Sequence, residues 1–94
     1  MSSKYETSIK YFESIIQRDP SNYSIWNKVA ATRAHIGNFE GARQAYHKAL
    51  DIKPNYVRSW TNLAINYHSM EKLDTSISFL LNSLALNPEA RHVW

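Results

Sequence analysis

Pro20-Ser21-Asn22-Tyr23-Ser24-Ile25-Trp26-Asn27-Lys28-Val29-Ala30 is followed, at an offset of 34 residues, by Pro54-Asn55-Tyr56-Val57-Arg58-Ser59-Trp60-Thr61-Asn62-Leu63-Ala64. Proline falls on proline, Trp26 on Trp60 and Ala30 on Ala64, with an apolar Val29 or Leu63 before each alanine. The same offset carries Pro54 to Pro88 and Trp60 to Trp94. It also matches Tyr5 with Phe39 and Leu73, Phe12 with Tyr46 and Leu80, and Ile16 with Leu50 and Leu84. Agreement of so many registers on one period marks an internal repeat, the signature of supersecondary units that stack on one another. Within each unit apolar residues recur at helical spacing, as in Tyr5, Ile9, Phe12 and Ile16. The breaks carry turn chemistry: Asp19-Pro20-Ser21-Asn22, Gly37-Asn38, Lys53-Pro54-Asn55 and Asn87-Pro88. The pattern predicts five helices, over about 4–18, 23–36, 39–52, 57–70 and 73–86.

Composition agrees with a single small helical domain. The 94 residues are 44% hydrophobic and 20% charged, which excludes a disordered or fibrous chain. Two glycines and three prolines are too few for a turn-rich β-sandwich. The absence of cysteine excludes disulfides, thiolate catalysis, iron–sulfur clusters and Cys-type zinc sites. A net charge of +3 suits a partner bearing carboxylates and is too small and too dispersed to suggest nucleic acid. No apolar run approaches the ~20 residues of a membrane span, and the N-terminus lacks the apolar core of a secretory signal. A soluble, intracellular chain is expected.

A 34-residue period with Trp, small residues, a second aromatic and a closing Pro resembles the tetratricopeptide repeat, a helix–turn–helix unit. With proline at position 32, one repeat covers 23–56 and the next 57–90. Trp26 and Trp60 then hold position 4, Ala30 and Ala64 position 8, Ala42 and Ser76 position 20, and Ala49 and Ser83 position 27. Residues 4–18 read as the second helix of a partial repeat, and 91–94 as the start of a further one. The resemblance implies an all-α, right-handed superhelical solenoid of antiparallel helix pairs, truncated at both ends as if cut from a longer array. Its terminal helices lack partners. Residues 73–86 carry Ile77, Phe79, Leu80, Leu81, Leu84 and Leu86, so homo-oligomerisation through the unpaired ends is expected.

In such an array the first helix of each unit lines a concave groove. The groove-facing set is Ser24, Asn27, Lys28, Ala31, Ala34 and His35 in one repeat, and Arg58, Thr61, Asn62, Ile65, His68 and Ser69 in the next. It is polar, amide-rich, net positive and free of carboxylates. An Asn amide both donates and accepts, so it can hold a peptide backbone whatever its side chains. Arg58 suits a terminal carboxylate. No Asp, Glu or Cys accompanies His35 and His68, so no metal site is expected. His47 and His92 read as surface residues. No Ser/His/Asp arrangement and no glycine-rich phosphate loop is present, so neither catalysis nor a cofactor is expected. Trp26, Trp60, Tyr46 and Phe39 hold packing positions. Arg33 occupies a slot that Tyr67 fills in the next repeat; its stem is expected to lie along the packed surface.

Two stretches carry a closer resemblance. Ser24-Ile25-Trp26-Asn27-Lys28-Val29-Ala30-Ala31-Thr32, and Pro54-Asn55-Tyr56-Val57-Arg58-Ser59 followed by Asn62-Leu63-Ala64-Ile65, are similar to segments of the peroxisomal matrix-protein import receptors. Ala45-Tyr46-His47-Lys48-Ala49-Leu50 fits as well. The resemblance implies a cytoplasmic protein that cycles to the peroxisome and binds the C-terminal peptide of cargo proteins, a Ser-Lys-Leu-type signal. It places Asn27, Arg58 and Asn62 at positions that hold the peptide backbone and its carboxylate. Ala31, His35, Ile65 and Ser69 complete the expected peptide-binding set. Ser69 stands where that family has another Asn, and Ala30 and Ala64 stand where it has glycine. Two other readings stay open. One is a chaperone-adaptor repeat that clamps an acidic C-terminal peptide, which Arg58 and Asn62 fit but Asn27 and Ala31 do not. The other is a scaffold segment with no ligand of its own.

Overall fold

Five α-helices account for the fold in a computed structural model that describes residues 3–86: α1 (Ser3–Arg18), α2 (Tyr23–His35), α3 (Phe39–Ile52), α4 (Val57–Ser69) and α5 (Leu73–Leu86). No strand occurs among these residues. Each helix begins and ends within one residue of its expected bounds. The Asn87-Pro88 turn, His92, Trp94 and the predicted start of a further repeat at 91–94 lie outside the described residues.

The helix ends follow from local chemistry. Asn22 caps α2, its Oδ1 accepting the Ile25 N–H at 3.2 Å, and Asn38 caps α3 by accepting the Gly41 N–H at 3.0 Å. Gly41 leaves room for that cap, because a Cβ there would lie 2.5 Å from Asn38 Nδ2. Between α2 and α3 the chain reverses through Gly37 at φ +85°, with the Gly37 N–H bonded to the Ala34 carbonyl and the Asn38 N–H to that of Arg33. This is the left-handed helix stop that glycine favours. One period later Glu71 makes the same turn at φ 62°, with matching bonds from Glu71 to His68 and from Lys72 to Tyr67. Tyr56 holds the cap position of α4 and makes no side-chain cap bond.

Each repeat is closed by a bond that ties its period together. Trp26 Nε1 donates to the Pro20 carbonyl at 3.0 Å, and Trp60 Nε1 donates to the Pro54 carbonyl at 2.7 Å. The indole thereby fastens each helix to the loop that enters it, so tryptophan and proline recur at one fixed spacing. Behind them Val29, Ala30, Ala42, Ala49, Leu63 and Ala64 are fully buried, with Tyr46 and Tyr67 packed beside them. Small residues let the helices approach closely. At the two positions where the second unit has serine instead of alanine, the hydroxyls find partners: Ser76 Oγ donates to the Ala64 carbonyl at 2.7 Å, and Ser83 Oγ meets Thr61 Oγ1 at 2.7 Å.

Consecutive helices pack against each other, and α2 also touches α4. The backbones of the alternate helices α1, α3 and α5 stand apart, and α3 meets α5 through the His47 and Phe79 rings. The first helices of the units therefore form the inner face and the second helices the outer one. Two side chains, His47 and Thr61, differ from expectation, and a third, Arg33, finds a partner the sequence did not name. His47 is not a surface residue: it is half-buried, its Nε2 lies 3.0 Å from the Tyr67 hydroxyl, and its ring meets Phe79 edge-on at 5.7 Å. Arg33 reaches across the α2–α3 hairpin and donates to the Gly41 carbonyl at 3.2 Å. Thr61 turns from the groove toward α5. Outward from α5, Leu73, Ile77 and Leu81 form an exposed apolar stripe at helical spacing.

Candidate functional site

The inner face is built from α2 and α4, and neither helix contains an Asp or Glu. All carboxylates of the described residues lie on the outer helices or in the turns. Lys28, Arg58, His35 and His68 are exposed on these two helices. Arg58 forms no ion pair among the described residues, where the single ion pair joins Glu40 and Arg43 on α3. The first turns of α2 and α4 also lack acidic residues, so the positive ends of both helix dipoles reinforce the cationic field.

Asn27 is not open to a ligand in the way its position in the repeat suggested. It is 8% exposed, and its Oδ1 accepts from Ser59 Oγ at 2.9 Å and from Asn62 Nδ2 at 3.3 Å. This buried fork binds α2 to α4. It also turns the Asn62 amide nitrogen toward the wall, so Asn27 acts on the groove through the side chain that it holds. Arg58 precedes Asn62 by one helical turn on the same stripe.

Further along the groove, the C-terminal halves of α2 and α4 and the body of α3 enclose a cavity of about 310 Å³. Ala31, Ala34 and His35 line it from α2, Phe39 and Tyr46 from α3, and Asn62, Ile65, Asn66 and Ser69 from α4. Five of the seven residues expected to bind peptide thus meet in one place: Ala31, His35, Asn62, Ile65 and Ser69. Asn27 and Arg58 are not among its lining residues. Ile65 is 57% exposed, a large apolar side chain presented on the inner face. The His35 ring stacks on Tyr5 of α1 with centroids 5.9 Å apart, which ties the rim to the preceding unit. Ser69 Oγ donates back to the Ile65 carbonyl at 3.2 Å.

Four lining residues lie outside the expected set, Ala34, Phe39, Tyr46 and Asn66, and two of them carry polar groups. Asn66 is 2% exposed, and its Nδ2 donates to the Phe39 carbonyl at 3.0 Å while its Oδ1 has no partner. An unpaired buried carbonyl oxygen costs about 1–3 kcal/mol. Tyr46 is 3% exposed, and burial alone pushes its hydroxyl up to about 12, so it stays protonated. Its ring packs as its repeat position predicted, but the same residue also lines the cavity. The sequence did hold a signal for Asn66, which follows Asn62 by four residues and shares its stripe. Among the described residues no group of three or more His, Asp or Glu side chains is placed to hold a metal ion, and no helix is long and apolar enough to cross a membrane.

Comparison with known proteins agrees with this architecture. One family model, described as "TPR repeat", matches residues 33–71, and another, "Tetratricopeptide repeat", matches residues 57–89. The chain is 32% identical over 83 residues to a "Peroxisomal targeting signal receptor" of Saccharomyces cerevisiae, an overlap of 88% of this chain and 14% of that protein. It is 25% identical over 85 residues to a "Hsp70-Hsp90 organising protein" of Plasmodium falciparum, covering 90% of this chain and 34% of that one. The chain therefore spans a minor part of the relatives it matches. Among solved structures, the fold is shared with the "TPR2B-domain:pHsp70-complex of yeast Sti1" at a TM-score of 0.88 and 21% identity, over 96% of this chain and 72% of that chain.

Proposed function

Because this chain belongs to the tetratricopeptide-repeat family, we propose that its inner face is a peptide groove, part of a receptor for C-terminal Ser-Lys-Leu-type peroxisomal targeting signals. One observation carries the reading: the two groove helices have no carboxylate, while Arg58 projects from them without an ion pair. A C-terminal carboxylate supplies the missing partner. Asn62, held by Asn27, offers its amide to the peptide backbone, and Ile65 offers an apolar surface. The likeness to the yeast targeting-signal receptor over most of the chain favours this ligand class. The protein would then act as a binding module with no catalytic step, working in the cytoplasm and cycling to the peroxisome with its cargo.

The test is fluorescence anisotropy with a labelled peptide ending in Ser-Lys-Leu, as free acid and as C-terminal amide. A charge-assisted hydrogen bond contributes about 1.5–3 kcal/mol, so amidation is expected to weaken binding at least ~10-fold. Arg58→Gln should weaken the acid and leave the amide unchanged. Equal binding of acid and amide would refute the carboxylate contact. A second reading has its own support in the likeness to the Hsp70-Hsp90 organising protein: the same cationic groove would take an acidic C-terminal peptide. Direct competition between Ser-Lys-Leu-COOH and Glu-Glu-Val-Asp-COOH peptides separates the two.

A further inference from the structure

The seam between α3 and α4 carries a polar trio, Arg43 and His47 on α3 and Tyr67 on α4. Arg43 stands where the neighbouring units have Ile9 and Ile77, His47 where they have Glu13 and Leu81, and Tyr67 where the preceding unit has Arg33. The period does not repeat the trio, so helix stacking alone does not account for it.

Arg43 fixes the direction of the hydrogen bonds. A guanidinium only donates, and that of Arg43, held on one side by Glu40, engages the Tyr67 oxygen on the other. The single Tyr67 proton is left for His47, whose Nε2 lies 3.0 Å from the hydroxyl. His47 Nε2 is therefore an acceptor, and the ring proton sits on Nδ1. Around the imidazole, α4 presents the Tyr67 hydroxyl and α5 the uncharged Phe79 ring, edge-on at 5.7 Å. Among the charged groups of the described residues, only Arg43 and Asp51, one turn to either side on α3, act on it. Lys72, in the turn between α4 and α5, acts on Glu40.

We propose that Arg43, Tyr67 and His47 form a proton-sensitive joint between the two repeat units, closed while His47 is neutral and opened when it gains a proton. A protonated Nε2 would donate to the oxygen that Arg43 already engages, setting two cations on one neutral acceptor. Burial of the ring and then the Arg43 charge oppose that proton, with Asp51 favouring it. The closed form therefore prevails near neutral pH and yields as pH falls. The inner face feels the joint through close neighbours. Asn66, beside Tyr67, and Phe39, one turn before Arg43, both line the cavity and are joined by the bond from Asn66 Nδ2 to the Phe39 carbonyl. Opening the joint loosens that wall, whether or not the groove holds a peptide.

Nuclear magnetic resonance of the full chain, labelled with 15N and 13C, tests the joint. At pH 8 the His47 ring is expected as the Nδ1–H tautomer, the opposite of the form that exposed imidazoles favour. Lowering the pH from 8 to 4.5 should move the His47 ring and Asn66 side-chain NH2 signals with one common midpoint. The Asn66 signals are followed in a His35→Gln background, because His35 lines the same cavity. Tyr67→Phe, which keeps the ring, should abolish the tautomer preference and raise the proton affinity of His47 about 2- to 10-fold, the range of one net hydrogen bond. Arg43→Gln should raise it as well, and Asp51→Asn should lower it; these two variants carry the test if Tyr67→Phe does not fold. An Nε2–H tautomer, a His47 midpoint unmoved by Tyr67→Phe or Arg43→Gln, or Asn66 signals that do not follow His47 overturns the proposal.

Discussion

Glu71→Gly is expected to stabilise the protein, and Gly37→Ala to destabilise it by a similar amount. Both residues occupy the left-handed stop between paired helices, at φ 62° and +85°, with the same pair of backbone bonds around them. Holding a non-glycine residue in that conformation costs about 1–2 kcal/mol. Glycine returns part of the difference, because it loses about 0.5–1 kcal/mol more backbone entropy on folding. The net gain at Glu71 is about 0.5–1 kcal/mol, a rise of roughly 2–8 °C in Tm for a domain of this size. Side-chain effects do not blur the comparison. Glu71 is exposed and joins no ion pair among the described residues, and a Cβ on Gly37 meets nothing within 4 Å. Urea unfolding followed by far-UV circular dichroism, with thermal melts alongside, measures both variants. Neutral or destabilising Glu71→Gly together with neutral Gly37→Ala would refute the argument that backbone conformation sets the strength of these turns.

Other consequences follow from the same geometry. Ser59→Ala removes the buried donor to Asn27 Oδ1 and is expected to cost about 1–3 kcal/mol in urea unfolding; Asn27→Ala should in addition broaden the Asn62 side-chain amide signals in NMR spectra. His47 is held below its ordinary value of 6.5, first by burial and then by the Arg43 guanidinium, with Asp51 opposing. The unfolded chain then binds a proton more readily than the folded one, so stability is full above 6.5 and falls as pH drops from there toward the folded value. Unfolding curves across pH 5–8 should lose that slope in His47→Gln. Tyr56→Asn supplies α4 with the cap that Asn22 gives α2 but removes a ring packed on the core and edge-on to Tyr23 at 4.9 Å, so a net loss of stability is expected by the same assay. Ile77→Lys on the exposed stripe of α5 is expected to suppress association between copies, read as mass by light scattering at high concentration.

The helices were legible in the sequence because period, apolar spacing and turn residues agreed at every boundary. Asn22, Gly37 and Asn38 sit at helix ends for local reasons that need no tertiary contact. The groove was harder to read, since a repeat position was taken to mean one environment. Asn27 and Thr61 hold the same position, but Asn27 finds Ser59 and Asn62 on the next inner helix. Thr61 has no such neighbour among the described residues and pairs with Ser83 of its own unit. His47 was misplaced for a related reason. Its partners, Tyr67 and Phe79, come from the following unit, and only packing brings them within reach. Asn66 is illegible in the sequence because its burial and its bond to the Phe39 carbonyl arise only when α3 packs on α4.

The backbones of α2 and α4 approach each other and those of the outer helices do not, which gives the molecule a mechanical asymmetry. Neighbouring units are joined along the inner line by the Asn27 fork, and on the outer side α3 and α5 meet through the edge contact of His47 with Phe79. Flexing about that line changes the spread of the outer layer and works against little more than the His47–Phe79 edge contact. The protein is therefore a leaf spring whose neutral axis runs along its own groove. A chain lying along that axis is strained little by flexing, so the groove keeps its occupant while the outer layer moves.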